Sequence, residues 1–538
     1  MPDTATQTGT AARAAQRPEF QVLADVSRYY AQTQPDKIAY WCGQRTVTYA
    51  ELDRQSDQAA QGLIAAGLQP GDRFAYLGKN SDRYFELLLA AGKSGAVLVS
   101  LNWRLAAPEL AAIIADAGPR MLFAQPEFAD LAAAAQHSAG TAIPLIVTED
   151  PVPEGTQSYS AWRDAQPAEA PAHRAKDSDV CVMLYTSGTT GKPKGVQLAH
   201  RGLVEQSRFE PGLGDWAVWG PDEVSLVTLP TFHISGTAFG FTGLRHGASA
   251  VILPQFDLEA VIDAIPRYRV SRTIFVPAVI KMILDHPKAA NTDFSSFKVI
   301  NYGASPMPPS LLKRAIDVFQ SGFCQMYGMT ENSGLATFLP PDEHSIEGNE
   351  KMTGVGRPWP GFEIRIRSAD GEILPPRQVG EVEVRAPTVM AGYWHMPEET
   401  AKVLHDDGFL ATGDAGYMDE DGYLYLFDRV KDMIITGGEN VYPAEVENCL
   451  VEHPAVDEVA VIGVPDEKWG EAVTAIVVPV TGERPTADAL IAFCKERIAG
   501  YKAPKRIEFV EALPRNASGK VLRRELRAPY WRERDRAI

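Results

Sequence analysis

One run of residues constrains this chain more than any other: Val180-Cys-Val-Met-Leu-Tyr185, followed at once by Thr186-Ser-Gly-Thr-Thr-Gly-Lys-Pro-Lys-Gly195. Five apolar or aromatic residues surround Cys181, which predicts a strand buried in a sheet. The next ten residues carry three glycines, four hydroxyls and two lysines. Gly188 and Gly191 let the backbone bend tightly and approach a ligand, while amide and hydroxyl donors (Thr186, Ser187, Thr189, Thr190) suit phosphate oxygens. Lys192 and Lys194 add positive charge where phosphate charge gathers. A Walker A loop needs four residues between its first glycine and a Gly-Lys pair, then Ser or Thr. Here Gly188 stands too close to Gly191-Lys192, and Pro193 follows. The run therefore reads as a different nucleotide-phosphate loop, with an ordinary surface turn as the plain alternative.

A chain of 538 residues is too long for one core, so several domains or subdomains are expected. Its net charge of −17 argues against a nucleic acid partner. The five cysteines (Cys42, Cys181, Cys324, Cys449, Cys494) form no CxxC pair and are odd in number, which points to a reducing, cytoplasmic setting. The first residues lack the apolar block of a signal peptide, and no apolar run is long enough to span a membrane. Contact with a membrane surface stays open.

Residues 1–20 read as a disordered tail, and ordered structure is expected from Gln21. From there, strand-like runs such as Phe74-Ala-Tyr-Leu-Gly78 and Ala96-Val-Leu-Val-Ser100 alternate with helical segments, a βαβ rhythm that predicts stacked sheets. After Pro340 the texture changes to short strands with one charged face, including Phe362-Glu-Ile-Arg-Ile-Arg367 and Glu381-Val-Glu-Val-Arg385. A further boundary falls at Phe427-Asp-Arg-Val-Lys-Asp432, and the remainder reads as a compact α+β unit. The Arg- and Glu-rich C-terminus reads as a solvated helix or tail rather than part of a ligand site. The fold class is thus α/β and α+β multidomain: a large unit over 21–430, strand-rich at about 341–430, and a small unit over 431–538.

Further segments complete a pattern. They are Pro230-Thr-Phe-His233, Tyr302-Gly-Ala-Ser305, Gln325-Met-Tyr-Gly-Met-Thr-Glu331, Thr412-Gly-Asp414, Asp428-Arg-Val-Lys-Asp432 and Pro514-Arg-Asn-Ala-Ser-Gly-Lys520. Each has a plain reading of its own. Asp414 suits an Asx turn or two ribose hydroxyls, and Tyr327 suits a core or an adenine face. Glu331 suits a solvated helix start or a hard cation, and Lys520 a solvent-exposed turn. No nucleophile elbow, HExxH pair or dinucleotide GxGxxG competes with them.

Together with the 186–195 loop, and in this order, these segments resemble the signatures of the adenylate-forming superfamily of acyl-CoA synthetases, luciferases and peptide-synthetase adenylation domains. The resemblance covers residues 22–526. It implies stacked mixed sheets with a small barrel-like subdomain, and a mobile C-terminal domain turning about a hinge at Lys431. It further implies an ATP site built from the loop, from Gly303, Ala304 and Ser305, from Met326, Tyr327, Gly328 and Thr330, and from Asp414 and Arg429. Thr186 and Glu331 would hold Mg2+. Lys520 would stabilise charge during adenylation, and His233 would stand between the acyl carbonyl and the thiol entrance. The second pose would bring Gly437, Gly438 and Glu439 inward to line a coenzyme A channel, with Trp469 near CoA or the reclosed interface.

The implied reaction joins a carboxylic acid to CoA through an acyl-adenylate, releasing AMP and pyrophosphate. The segment Gly437-Gly-Glu-Asn-Val-Tyr-Pro-Ala-Glu-Val-Glu447 resembles the fatty acyl-CoA and aryl-CoA ligase branch. The acyl pocket carried over from the family is His233, Ile234, Gly236, Val276, Pro277, Tyr302, Gly303, Met326, Asn332 and Gly334. It favours an alkyl or aryl group over a second carboxylate, with Arg272 the one nearby cation. A medium- or long-chain fatty acid is the expected substrate, and a benzoate- or cinnamate-type acid is the alternative. A separate carrier protein as acceptor and a nonenzymatic acyl-nucleotide binder stay open, as does the choice between monomer and homodimer.

Overall fold

The computed structural model describes residues 18–187, 193–305, 307–429, 432–436, 439–466, 469–515 and 521–531. Of Ser187, Arg429 and Glu439 it describes the backbone alone. Among these residues the strands make four sheets.

The two largest sheets are parallel at their centres and antiparallel at an edge. In one, Val224–Val227, Arg272–Phe275, Val299–Gly303 and Gly322–Tyr327 run parallel, and Thr337–Leu339 then Arg357–Pro358 continue that side antiparallel. In the other, Arg73–Leu77, Val97–Leu101 and Val180–Ser187 run parallel, and Pro193–Ala199 returns antiparallel along the last of these. The expected stacked sheets are thus mixed.

Helices fill the space between the sheets. Asp82–Ser94 shows why: Leu87, Leu88, Leu89, Ala90 and Ala91 make it apolar around its circumference, so both sides are buried. Ser81 caps its first turn by accepting from the Arg83 amide at 3.2 Å, and Gly95, at φ 82°, ends it in the left-handed conformation a side chain would strain. Lys93 on the last turn is fully buried and pairs with Asp53 at 2.6 Å and Asp57 at 3.0 Å, which ties this helix to Tyr49–Ala65.

The third sheet is antiparallel: Glu363–Arg367, Gly380–Arg385, Leu410–Met418 and Leu424–Arg429. Ile366, Val382, Val384 and Leu424 enclose a small core on one face, as the alternation predicts, while on the other face Glu383 is buried and pairs with Arg365 at 2.5 Å and Arg367 at 3.3 Å. The fourth sheet is built on the long hairpin Val456–Asp466 and Gly470–Pro479, covered by helices Pro443–Val451 and Ala487–Lys495. This two-unit architecture is the one expected.

Two expectations change. Phe20 is buried, its ring 5.6 Å from Tyr29 and 6.0 Å from Tyr30, so order begins before Gln21. The basic C-terminal segment is also more than a solvated tail. Arg523–Trp531 is a helix whose Arg523 pairs with Glu447 at 2.7 Å, and Arg523, Arg524 and Arg527 line the main cleft. Paired cations can sit on a cleft wall that sequence charge alone assigns to solvent.

Candidate active site

A cleft of about 1610 Å³ opens beyond the carboxyl ends of the parallel strands, the usual place for a ligand in such sheets. Thr186 stands at the end of one strand, Gly303 and Met326 at the ends of two neighbours, and all three line it. Gly303 has no room for a side chain, since a Cβ there would lie 2.1 Å from the Met326 carbonyl oxygen. Ala304 follows at φ 64°, a conformation an L-residue adopts under constraint, and it too lines the cleft. Ser305 is half-buried.

Lys194 lies opposite Thr186 in the antiparallel ladder. Its ammonium pairs with Glu399 at 2.7 Å and sits 4.8 Å from the centre of the Tyr393 ring. Lys194 and then Lys402 hold the Glu399 carboxyl at about 2. Tyr393 also donates from its hydroxyl to Glu331 Oε1 at 2.8 Å. Glu331 is buried on the short turn Thr330–Asn332 and faces the cleft. One tyrosine thereby joins Lys194 of the phosphate-type run to the carboxylate expected to hold a cation.

Among the described residues no three His, Cys, Asp or Glu side chains gather as a metal cluster. Glu331 and Thr186 still suit Mg2+, which binds through one or two protein oxygens and takes the rest from water and phosphate.

Tyr327 and Asp414 are half-buried, and their neighbours Met326, Gly328 and Gly413 line the cleft. The Tyr327 hydroxyl donates to Asp414 Oδ2 at 2.7 Å. Asp414 lies opposite Arg429 across the antiparallel ladder.

His233 caps the helix Ile234–Arg245 and lines the cleft, its ring 4.6 Å from that of Phe232. Burial, and then the Arg104 charge, lower it to about 4, so the imidazole is neutral near pH 7. Its buried Nε2 has no hydrogen-bond partner among the described residues, which suits an atom meant for a ligand.

The expected acyl pocket is brought together in part. His233, Ile234, Gly303, Met326 and Gly334 line the cleft. Tyr302 does not: strand alternation turns Asn301 and Gly303 to the cleft and Tyr302 into the core, where its hydroxyl meets His344 at 3.0 Å. Asn332 is buried with its Oδ1 on the Met329 amide, and Gly236 packs against the Pro230 carbonyl. Val276 and Pro277 start a helix that packs into the core behind the sheet. Arg272 anchors a loop, donating to the carbonyls of Trp216 at 2.7 Å and Val218 at 3.0 Å and pairing with Glu223.

Trp469 is exposed and lies away from the cleft, with Lys505 over its ring at 5.8 Å. Lys502 pairs with Glu445 at 2.6 Å. Gly188 to Lys192, Lys431, Gly437, Gly438 and Lys520 lie outside the described residues.

Sequence reasoning missed Tyr393, Glu399, the tryptophans Trp216 and Trp219, and the buried pair Glu210 and Arg245. An arginine ending a helix as apolar as Ile234–Arg245 was the available signal for Arg245, though not for its partner Glu210.

Comparison with known proteins agrees with this architecture. The model for AMP-binding enzymes matches residues 28–394, and the model for the AMP-binding enzyme C-terminal domain matches 445–520. The chain is 41% identical over 524 residues to a fatty acid–[acyl-carrier-protein] ligase, ScoC, of Streptomyces coeruleorubidus, covering 97% of this chain and 99% of that one. It is 41% identical over 503 residues to a feruloyl-CoA synthase of an Amycolatopsis species, covering 93% and 97%. The solved anthranilate CoA ligase AuaEII, in complex with anthranoyl-AMP, superposes with a TM-score of 0.86 at 26% identity, covering 96% and 98%. Fold, site and relatives converge: this chain belongs to the AMP-binding enzymes, the adenylate-forming superfamily, as an AMP-forming acid–thiol ligase.

Proposed function

We propose that this ligase activates an aromatic carboxylic acid and transfers it to coenzyme A. The observation that carries the reading is that four aromatic side chains, Trp216, Trp219, Phe239 and Trp359, line the cleft together with His233. An aromatic lining suits a ring by offset or edge contact better than it suits a flexible alkyl chain. The similarity to a feruloyl-CoA synthase and to an anthranilate CoA ligase points the same way. The fatty acid expected from sequence therefore gives way to its aryl alternative.

The chain's own groups would act in two steps. First, the acid carboxylate attacks the α-phosphorus of ATP and pyrophosphate leaves. The 186–194 loop holds the phosphates, Tyr327 faces adenine, and Asp414 with Arg429 holds the ribose side. Lys520 stabilises the charge between acid and phosphate. Bound Mg2+, held by Glu331 and Thr186, would neutralise phosphate charge. Neutral His233 offers Nε2 to the acyl side without adding charge there.

In the second step the small unit, over 431–538, turns about Lys431 and withdraws Lys520. Gly437, Gly438 and Glu439 then line a channel through which the CoA thiol attacks the acyl carbonyl and AMP leaves. Trp469, exposed in this arrangement, would meet CoA after the turn.

A carrier-protein thiol is the second reading, favoured by the likeness to ScoC. The test is ATP-dependent pyrophosphate release and thioester formation, by mass spectrometry, with benzoate, cinnamate, 4-coumarate, octanoate and palmitate. Ring thioesters with CoA are expected. Turnover of the alkyl acids alone overturns the aryl reading, and adenylate without CoA thioester transfers the case to the carrier protein.

A further inference from the structure

The arm of the cleft leading away from His233 follows one face of the Ile234–Arg245 helix. Ile234, Ala238, Thr242 and Arg245 line it, at spacings that stack them along one side. With a rise of 1.5 Å per residue, the arm runs about 16 Å along the axis between the first and last of these positions. Aromatic walls flank it, and one of them is fixed by charge. Trp219 stacks on His246 at 4.9 Å with 12° between the planes, while the Arg272 guanidinium lies 4.8 Å from the Trp219 ring centre.

The far end of this apolar arm is ionic. Arg245 is 1% exposed, and it donates to Glu210 Oε1 at 2.6 Å and to the Leu203 carbonyl at 2.8 Å. His246 Nε2 stands 2.9 Å from the other Glu210 oxygen. Gln206, one helical turn before Glu210, lines the same end. Removing such a pair from water is costly, and well-packed apolar residues of similar volume often serve stability as well or better. An ion pair placed on the wall of a ligand cleft therefore calls for a role in recognition.

We propose that Glu210 and Arg245 form the distal specificity pair of the acid site and read a neutral hydrogen-bonding substituent, a ring hydroxyl, on the aromatic acid. This inference rests on the aryl reading given above. The pair is internally compensated, so a second carboxylate on the substrate would meet Glu210 as well as Arg245. A hydroxyl can donate to the carboxylate and accept from the guanidinium at once. An alkyl or bare-ring end would press against polar groups and return no hydrogen bond. Gln206 supports the hydroxyl from the side.

The experiment compares kcat/KM for cinnamate with 4-coumarate, and for benzoate with 4-hydroxybenzoate, by pyrophosphate release. The dianionic acid terephthalate is included, and the wild type is measured with Glu210→Gln and Gln206→Leu. In the wild type the hydroxylated acid of at least one pair is expected to be favoured by about tenfold or more, because a site built to hydrogen-bond a hydroxyl rejects the analogue lacking it. Terephthalate is expected to trail both benzoates. In Glu210→Gln the hydroxyl-to-bare ratio should fall several-fold, and in Gln206→Leu by less. Equal or reversed preference in the wild type overturns the proposal, and that arm needs no variant to fold. A ratio unchanged in both folded variants overturns the assignment to this pair. Turnover of ring acids without hydroxyl preference defeats the distal pair alone, whereas release with none of the ring acids defeats the aryl reading beneath it.

Discussion

The Tyr327 hydroxyl and the Asp414 carboxylate, 87 positions apart in the chain, are joined by a 2.7 Å hydrogen bond. That bond couples the strand proposed to meet adenine with the sheet proposed to meet ribose, and it orients both groups. A hydrogen bond to a charged acceptor contributes about 1.5–3 kcal/mol. Tyr327→Phe keeps the ring and removes the bond, so kcat/KM for ATP should fall by about tenfold, with a smaller change in the KM of the acid. Asp414→Asn should cost more, because it also weakens the proposed ribose contact. Steady-state kinetics with ATP as the varied substrate checks both.

Tyr393 touches Glu331 through its hydroxyl and Lys194 through its ring face. Glu331→Gln should lower pyrophosphate release by about a hundredfold and raise the Mg2+ concentration needed for half-maximal rate. Tyr393→Phe keeps the ring under Lys194 and should cost about tenfold or less. A Mg2+ titration of each variant separates loss of cation binding from loss of shape, since only the former shifts the midpoint.

The two-step assignment divides the reaction at Lys520. Lys520→Ala should reduce adenylation by about a hundredfold to a thousandfold, the range for losing one preorganised charge-stabilising group. Thioester formation from synthetic acyl-adenylate and CoA should stay within a few-fold of wild type. Equal loss in both half-reactions would rule out a lysine that serves the first alone.

His200 is buried, and its Nδ1 accepts the Leu23 amide at 3.2 Å. Burial lowers its pKa to about 4 from the ordinary 6.5. The unfolded chain thus binds more protons between those values. Stability is flat above about pH 6.5 and falls as the pH drops toward 4, by up to about 3 kcal/mol from this group. Urea unfolding at pH 7, 5.5 and 4.5 should show the decline. His200→Asn, which offers the Leu23 amide a nontitrating acceptor, should be less stable at pH 7 and show a shallower slope.

Gly303 is held between two strands, with the Met326 carbonyl 2.1 Å from where a Cβ would stand. Gly303→Ala must spread the Val299–Gly303 and Gly322–Tyr327 strands. A stability loss of about 1–3 kcal/mol is expected, together with weaker ATP binding, measured by urea unfolding and by calorimetry on the same preparation.

Much of this protein follows from local order in the chain. The buried run at 180–185 dictates a strand, because periodicity acts over a few residues, whereas Thr412-Gly-Asp414, which by itself suits a turn, lies within the strand Leu410–Met418. The alternation over Glu363–Arg367 likewise announces a half-exposed strand. Those features suffice for the family and the reaction class.

What tertiary structure alone decided is which side chains meet. Strand pleating turned Tyr302 away from the cleft that Gly303 lines, since facing is set by the register of a whole sheet. Tyr393 reached Glu331 from 62 positions away, and Arg245 reached Glu210 from 35. Neither pairing leaves a mark in local sequence, because hydrogen bonds and ion pairs across a fold depend on packing between elements, not on spacing along them. The proposed choice of acid rests on such long-range contacts, which is why the chain read in isolation left it open.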